Sequence, residues 1–358
     1  MVETKEETLK KVSRGLIALF AAALMLAALA STAAARVTVH KASIEACVLL
    51  PDTKSSARYE LFDRPYLAAA FKAAGVATTI VNAQGDPQKQ RSQADDCMAN
   101  GAKVVLLDQL DPASGAAITN AVVAGGGKVI DYDRLVVHSK ASYYVSFDNV
   151  KVGVLQGKGL VAALAGKKGA VVAQLNGGIT DNNAKLFKQG YDSVLNPLFK
   201  SGVLKKAVAG DQWTDWDPNK GLTIFEQMLA RNSNHIDGVL SANDGLAGAV
   251  VSALKNHGLK PIPLTGQDAT PTGVQYIISG WQTGTVYKSV KKEAAAAAKA
   301  AIALVKGAAV TTNAKVSGTP SILLTPVWVT KANYKLLFTD GFVKKSDVCK
   351  GTYAQFCK

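Results

Sequence analysis

The sequence predicts an α/β protein made of two doubly wound domains, each a parallel sheet with helices on both faces. The 358 residues, 48% of them hydrophobic, are enough for two hydrophobic cores. From residue 43 onward, short apolar runs alternate with helical stretches of about 10 to 14 residues, and this pattern indicates right-handed strand–helix–strand crossovers.

The first half of the chain contains one complete set of alternating elements. Each predicted strand is a short apolar run, and glycine closes the helices, as Gly75 and Gly101 show. Glycine suits that position because it readily adopts the left-handed conformation. The strands are predicted at 44–50, 77–81, 104–107 and 129–132, and the helices at 66–74, 87–100 and 113–123.

The pattern restarts after Asn149 and predicts a second domain of the same design. Its strands are predicted at 170–175, 205–208, 238–241 and 263–266, and its helices at 150–164, 183–195, 219–231 and 246–256. A final section holds a strand at 283–287, an alanine-rich helix at 289–306 and a strand at 322–329. Neither sheet is complete without these late strands, so we expect them to return to both domains and create a hinge.

Residues 1–35 have the features of a cleavable signal peptide. Lys10, Lys11 and Arg14 precede an apolar run over 16–30, and small residues end at Ala35. The alternative is a membrane anchor, but the apolar run is about 15 residues where a spanning helix needs about 20. We therefore expect cleavage near Ala35 and an exported protein that is soluble afterwards.

The formal net charge of +14 raises the question of nucleic-acid binding. The lysines are spread along the chain, and no basic cluster is interleaved with aromatic residues. We interpret the charge as surface chemistry and expect no nucleic-acid partner and a monomer.

The four cysteines form two pairs by position, Cys47 with Cys97 and Cys349 with Cys357. In an oxidising compartment both pairs can be disulfides, and for the first pair two buried free thiols are the open alternative. The cysteines and the four histidines lack metal-site spacing, so neither a metal nor another cofactor is predicted.

Polar and aromatic residues follow nearly every predicted strand. Ligands bind at the carboxyl ends of strands in open parallel sheets. Planar amides, carboxylates and guanidinium groups give paired hydrogen bonds to adjacent hydroxyls, and aromatic rings stack on the C–H faces of a sugar. Each residue alone has another explanation, such as a helix cap or core packing. The set comprises Asp52, Lys54, Arg58, Tyr59, 131–134, Asn176, 180–183, 210–213, Trp216, Asn243, Asp244, Gln267, Asp268, Tyr287 and Lys288. Together these residues predict a sugar site.

A catalytic pair is the competing interpretation of Asp131 and Asp133, since glycoside hydrolysis needs two carboxyl groups flanking the bond. Arg134 beside them favours an ionised carboxylate instead. The chain also lacks a Gly-x-Ser-x-Gly elbow, a phosphate loop and a His-Glu-x-x-His motif. We therefore predict no catalytic residues and no enzymatic activity.

Several of these segments resemble the xylose-binding-like members of the type I periplasmic sugar-binding proteins of ABC transporters. The resemblance runs from about Ile44 to Phe342 and includes 129–134, 144–153, 181–187, 210–213, 241–244, 266–269 and 285–288. It implies two Rossmann-like domains joined by three hinge crossovers, which we place near 147–150, 266–270 and 319–326. The predicted first lobe is 36–148 plus 269–320, the second lobe is 149–268 plus 321–348, and 349–358 form a tail.

The resemblance also implies a ligand set. The hydrogen-bonding residues it implies are Arg58, Asp133, Arg134, Asn183, Asn243, Asp268 and Lys288. We also predict Asn182, beside Asn183, to bind the ligand. Trp213 is the implied stacking ring, and Tyr59 stands where the xylose-binding proteins have a tryptophan. The segment 52–64 departs from the family pattern, which leaves the choice of sugar open.

The function implied is capture of a free monosaccharide, xylose or a similar pentose or hexose, for an ABC permease in the membrane. Two alternatives stay open. One is a sensor that presents its sugar to a chemoreceptor or histidine kinase, and the other is a secreted sugar-processing enzyme.

Overall fold

The computed structural model describes residues 43–357, and the predicted signal peptide lies outside them. The strands in chain order are β1 (Ala46–Leu50), β2 (Thr78–Asn82), β3 (Val104–Leu107), β4 (Lys128–Tyr132), β5 (Tyr143–Phe147), β6 (Ala170–Asn176), β7 (Leu204–Trp213), β8 (Gly238–Ser241), β9 (Thr265–Gln267), β10 (Gly284–Tyr287), β11 (Ala314–Val316), β12 (Thr319–Leu324) and β13 (Val327–Thr330).

The helices in chain order are α1 (Arg64–Ala73), α2 (Pro87–Ala99), α3 (Pro112–Ala124), α4 (Asn149–Ala163), α5 (Asn182–Lys200), α6 (Pro218–Arg231), α7 (Asp244–Asn256), α8 (Pro271–Ser279), α9 (Val290–Val305), α10 (Leu336–Thr339) and α11 (Lys345–Val348). A π-helical turn, Tyr59–Asp63, leads into α1, and a 3₁₀ turn, Gly351–Phe356, ends the described chain. None of the helices in the described part has the length and apolar character needed to span a membrane.

The first lobe is built on a seven-stranded sheet in the order β11-β12-β5-β4-β3-β1-β2. Every neighbouring pair is parallel except the β11–β12 hairpin. The residues of β1 alternate between two cores: Val48 and Leu50 pack with α9, whereas Cys47 and Leu49 pack toward α2 and α3. Helices thus cover both faces, as a doubly wound sheet requires.

The second lobe contains two three-stranded sheets, β7-β6-β8 and β13-β10-β9. A parallel bridge between Val239 and Leu264 joins them at β8. The strands are parallel except for β10 with β13. The predicted α/β class with mainly parallel sheets is confirmed.

The chain crosses between the lobes at three places. The first crossover, at Asp148, and the third, at 325–326, lie within the predicted ranges, because β5 and β12 pair in the first sheet while β13 pairs in the second. The second differs from the predicted 266–270. Since β10 pairs with β9, the chain leaves the second lobe only at Lys288 and Ser289, before α9.

The lobe boundaries change accordingly. Residues 269–287, predicted in the first lobe, form α8 and β10 of the second, and residues 321–324, predicted in the second, are part of β12 in the first. The terminal segment packs on the second lobe, where Leu337 and Val348 share a core with Val274 of α8. The cysteines are bonded as Cys47–Cys97 and Cys349–Cys357.

Candidate functional site

A cleft between the two lobes collects the loops at the carboxyl ends of the strands. Its lining residues, drawn from both lobes, are Ser55, Ser56, Arg58, Tyr59, Asp133, Arg134, Asp181, Asn183, Phe187, Trp216, Asn243, Gln267, Asp268 and Lys288. This is the edge at which ligands bind in open parallel sheets.

Arg58 on the first-lobe wall is held by three carboxylates. Its Nε and Nη2 donate to Asp63 at 2.9 and 2.8 Å, Nη2 also donates to Glu293 at 2.6 Å, and Nη1 donates to Asp133 at 3.1 Å. The guanidinium is 3% exposed. These hydrogen bonds fix the orientation of the planar guanidinium. The bond from Arg58 in turn fixes the position of the Asp133 carboxyl in the cleft wall.

Asp133 lies at the centre of the charged groups. Burial opposes ionisation of its carboxyl, but the positive charges of Arg58, Lys288 and Arg134 outweigh that effect and hold its pKa below its usual range. Its backbone has φ of 60°, a conformation that costs a non-glycine residue about 1–3 kcal/mol. Asn183 stabilises this turn by donating from Nδ2 to the Asp133 carbonyl at 2.8 Å.

Arg134 and Tyr59 form the neighbouring part of this wall. The Nη2 atom of Arg134 donates to the Tyr59 hydroxyl and to Ser55 Oγ, both at 3.1 Å, and Nη1 donates to the carbonyl of Gln109 at 3.1 Å. Tyr59 is 2% exposed. The phenol and the guanidinium are therefore prearranged before any ligand contact.

Asp268 on the second-lobe wall is held by a network behind it. It has φ of 91° and Ala269 has φ of 49°. The buried carboxyl of Asp244 accepts hydrogen bonds from the Thr270 backbone at 2.8 Å and from Thr285 Oγ1 at 2.9 Å, and Thr285 Oγ1 in turn accepts from the Ala269 backbone at 3.2 Å. The network holds the left-handed turn that directs Asp268 toward the cleft.

The aromatic part of the cleft consists of Phe187 and Trp216, whose rings meet edge to face with centroids 6.3 Å apart. Trp216 Nε1 donates to Asp181 Oδ2 at 3.0 Å. The ring packs so closely on Gly177 that an added Cβ there would lie 2.2 Å from Trp216 Cζ2. The cleft therefore has apolar ring surface, from Phe187 and Trp216, beside its charged groups, and the indole N–H of Trp216 is paired with Asp181.

All of the predicted ligand-binding residues line the cleft except two. Trp213 ends β7, is half-buried and packs against the second-lobe core. Asn182 begins α5 one residue before Asn183. Trp216, not Trp213, is the tryptophan of the cleft wall, so the structure does not support the stacking role given to Trp213.

The cleft contains further residues that the prediction omitted from the binding set: Ser55, Ser56, Asp181, Phe187, Gln267 and Trp216. Trp216, Asp181 and Gln267 stand at predicted strand ends. Phe187 could have been predicted from the sequence, because it lies four residues after Asn183 and hence on the same face of the predicted helix. The serines carried no comparable signal.

The carboxyl of Asp131 lies outside the cleft. It is fully buried and accepts a hydrogen bond from the backbone of Val136 at 2.9 Å. Burial raises its pKa to about 8. Asp131 and Asp133 therefore do not flank a common space, and within residues 43–357 no group of histidine, cysteine and acidic side chains is arranged to hold a metal.

Residues 47–309 match the family model for the periplasmic binding protein domain. The D-xylose-binding periplasmic protein of Escherichia coli K12 is 38% identical over 301 residues, which cover 80% of this chain and 87% of that protein. Its counterpart in Haemophilus influenzae is 36% identical over 296 residues, with coverage of 80% and 87%.

A crystal structure shows the same architecture. It is the carbohydrate transporter solute binding protein of Chloroflexus aurantiacus in complex with D-glucose, which has a TM-score of 0.80 and 29% identity and covers 85% of this chain and 98% of that chain. These relatives are binding proteins, which agrees with the prediction that the chain is not an enzyme. The family match, the two-lobed fold and the cleft show that the chain belongs to the periplasmic binding protein family, with the fold of its type I members.

Proposed function

We propose that this protein is exported and captures a free monosaccharide in the cleft for delivery to an ABC permease. One observation carries the proposal: hydrogen-bonding groups from both lobes, and two aromatic rings, converge on a single cleft. A sugar bridging the two walls favours the closed form, because it makes its full set of contacts only there.

The chemistry of the walls suits a neutral polyol. Arg58 and Arg134 offer guanidinium donors and Asp133 and Asp268 offer carboxylate acceptors, so each can form a charge-assisted hydrogen bond with a hydroxyl. A dissociation constant of about 1 μM corresponds to about 8 kcal/mol. A few such bonds together with contact to Trp216 supply that free energy after the cost of ordering.

The proposed ligand class is xylose or a similar pentose or hexose. Two relatives are named for D-xylose, and the related crystal structure contains D-glucose. A pentopyranose lacks the hydroxymethyl group of the corresponding hexopyranose. A change of one side chain in the cleft wall can therefore decide whether that group fits. Tyr59 belongs to the segment that departs from the family pattern and is a candidate for that wall.

The test is titration calorimetry of the purified protein with free monosaccharides, including D-xylose and D-glucose. We expect at least one sugar to bind with one-to-one stoichiometry. Arg134→Ala and Asp268→Ala each remove one partner of a buried polar arrangement, so each should weaken binding by about 2–5 kcal/mol.

Arg91→Ala is the matched control, because Arg91 is a partly exposed arginine on α2 that pairs with Asp95, and neither residue lines the cleft. It should leave binding unchanged. Near-normal binding by both cleft variants, with circular dichroism showing an intact fold, would contradict the assignment of the site.

A further inference from the structure

Three consecutive residues after β1 reach from the first lobe to the second. Lys54 Nζ lies 2.7 Å from Asp217 Oδ2. The carbonyl of Ser55 accepts from Asn243 Nδ2 at 3.3 Å, and Ser56 Oγ donates to Asp268 Oδ2 at 3.2 Å. The lobes are thus bonded directly to each other at the cleft.

This loop is shaped from within by Asp52. Its Oδ1 accepts from the backbones of Lys54 and Ser55 at 2.7 and 2.6 Å, and its Oδ2 accepts from Ser55 Oγ at 2.8 Å. Asp52 is 7% exposed. The turn is therefore fixed by contacts within its own lobe, which lowers the entropy lost when it meets the second lobe.

The Lys54–Asp217 pair differs from the two other contacts because neither residue lines the cleft. Lys54 instead lines a hollow of about 200 Å³ at the cleft mouth, which shares Ser55 and Trp216 with the cleft. The two side chains are 65% and 25% exposed. They can be changed without removing any group that lines the sugar cleft.

Asp217 is held in place for this contact. Its Oδ1 accepts from the backbone of Asn219 at 2.9 Å and caps α6, and its Oδ2 faces Lys54. The hydrogen bond from Lys54 holds the pKa of this carboxyl below its usual range. This cap lies entirely within the second lobe, so it does not depend on contact with the first.

We propose that Lys54 and Asp217 are affinity-determining residues that hold the lobes together without touching the ligand. The inference rests on the proposed function. Because the residues belong to different lobes, separating the lobes breaks the pair. Apparent affinity scales with the fraction of protein in the binding-competent form, so this pair raises the affinity for every sugar by the same factor.

The test is a double-mutant cycle with Lys54→Gln and Asp217→Asn. Asparagine retains the helix-capping oxygen, so the second change removes the charge but keeps α6 intact. Each single variant should raise the Kd for D-xylose and for D-glucose by the same factor of about two to five, the range for one exposed ion pair. The double variant should be no weaker than either single variant.

Lys220→Gln is the matched control. Lys220 pairs with Asp215 at 2.5 Å, both residues are exposed, and both lie in the second lobe beside the same cleft mouth. Loss of this ion pair within one lobe should leave the Kd for every sugar unchanged. Raising the salt concentration should weaken binding by the wild type and not by Lys54→Gln, since salt screens exposed ion pairs.

Small-angle scattering of the sugar-free proteins separates this proposal from the proposed function. Lys54→Gln should have a larger radius of gyration than the wild type at low salt, whether or not a tested sugar binds. If no sugar binds but the radius of gyration of Lys54→Gln is larger than that of the wild type, the proposed sugar-binding function is wrong and the role of the ion pair stands. An unchanged radius and unchanged Kd values, or Kd changes that differ between sugars, would overturn the role given to the pair.

Discussion

At the scale of single residues, the two neighbouring tryptophans provide a sharp test of the cleft. Trp216 lines the cleft and Trp213 does not, although both rings pack against the same second-lobe core. Trp216→Leu should raise the Kd about two- to tenfold, because an aromatic contact is worth about 0.5–1.5 kcal/mol. Trp213→Leu should leave the Kd unchanged. Calorimetry with the sugar that binds the wild type measures both, and equal effects would contradict the placement.

Most of the residues that line the cleft could be predicted from the sequence, because the carboxyl ends of parallel strands meet at one edge of the sheet whatever the conformation of the loops. Residues as distant in the chain as Arg58, Asn243 and Lys288 are predicted to meet for this reason. The convergence of strand ends does not distinguish Trp213 from Trp216, since which ring reaches the cleft depends on backbone geometry. The strand β7 continues to Trp213, and Trp216 follows with φ of 59°, a left-handed turn that no hydrophobic pattern reveals.

At the scale of elements, α4 and α5 meet with their backbones in contact. An added Cβ on Gly153 would lie 1.9 Å from the Phe187 carbonyl oxygen, and one on Gly190 would lie 2.1 Å from the Val150 carbonyl oxygen. Gly153→Ala should lower the free energy of unfolding by about 1–3 kcal/mol, typical of overpacking. It should also weaken sugar binding, because Phe187 lines the cleft.

Gly248→Ala is the control for that prediction. Gly248 is also inside a helix, but its added Cβ would lie 3.8 Å from Tyr276, an ordinary contact. This change should raise the free energy of unfolding by about 0.4–1 kcal/mol, since alanine restricts the unfolded chain. Urea unfolding measures both variants, and destabilisation of the same size in both would contradict the close helix contact.

The element pattern predicted most strands but omitted β5 and β11, and it did not show which sheet the late strands join. The apolar run at 322–329 was expected to be one strand, whereas β12 and β13 divide it between the two lobes. Ile322 of β12 packs against the first-lobe core and Trp328 and Val329 of β13 against the second-lobe cores. Apolar side chains are needed in both places, so the hydrophobic pattern is the same for either sheet. The position predicted for the second crossover was wrong for the same reason. The hydrophobic pattern of β10 fits either sheet, and only its pairing with β9 shows that it belongs to the second lobe.

At the scale of the whole molecule, buried carboxyl groups determine how stability depends on pH. Burial raises the pKa of Asp131 to about 8 and that of Asp244 to about 7, from the ordinary value of 3.8. Each folded-state carboxyl therefore keeps a proton that the unfolded chain has already released above about pH 4. The stability they contribute is complete below that pH and is lost as the pH rises toward 8.

The free energy of unfolding should accordingly fall between pH 5 and pH 9. Repulsion among the basic residues changes little over this range, because lysine and arginine stay protonated and the chain has only 4 histidines. Asp131→Asn keeps an oxygen for the Val136 backbone and cannot ionise. The free energy of unfolding of this variant should exceed that of the wild type by a margin that grows from pH 5 to pH 9, with each unit of pKa shift corresponding to about 1.4 kcal/mol. Urea unfolding across this range measures the difference, and parallel curves for the two proteins would show that Asp131 titrates normally.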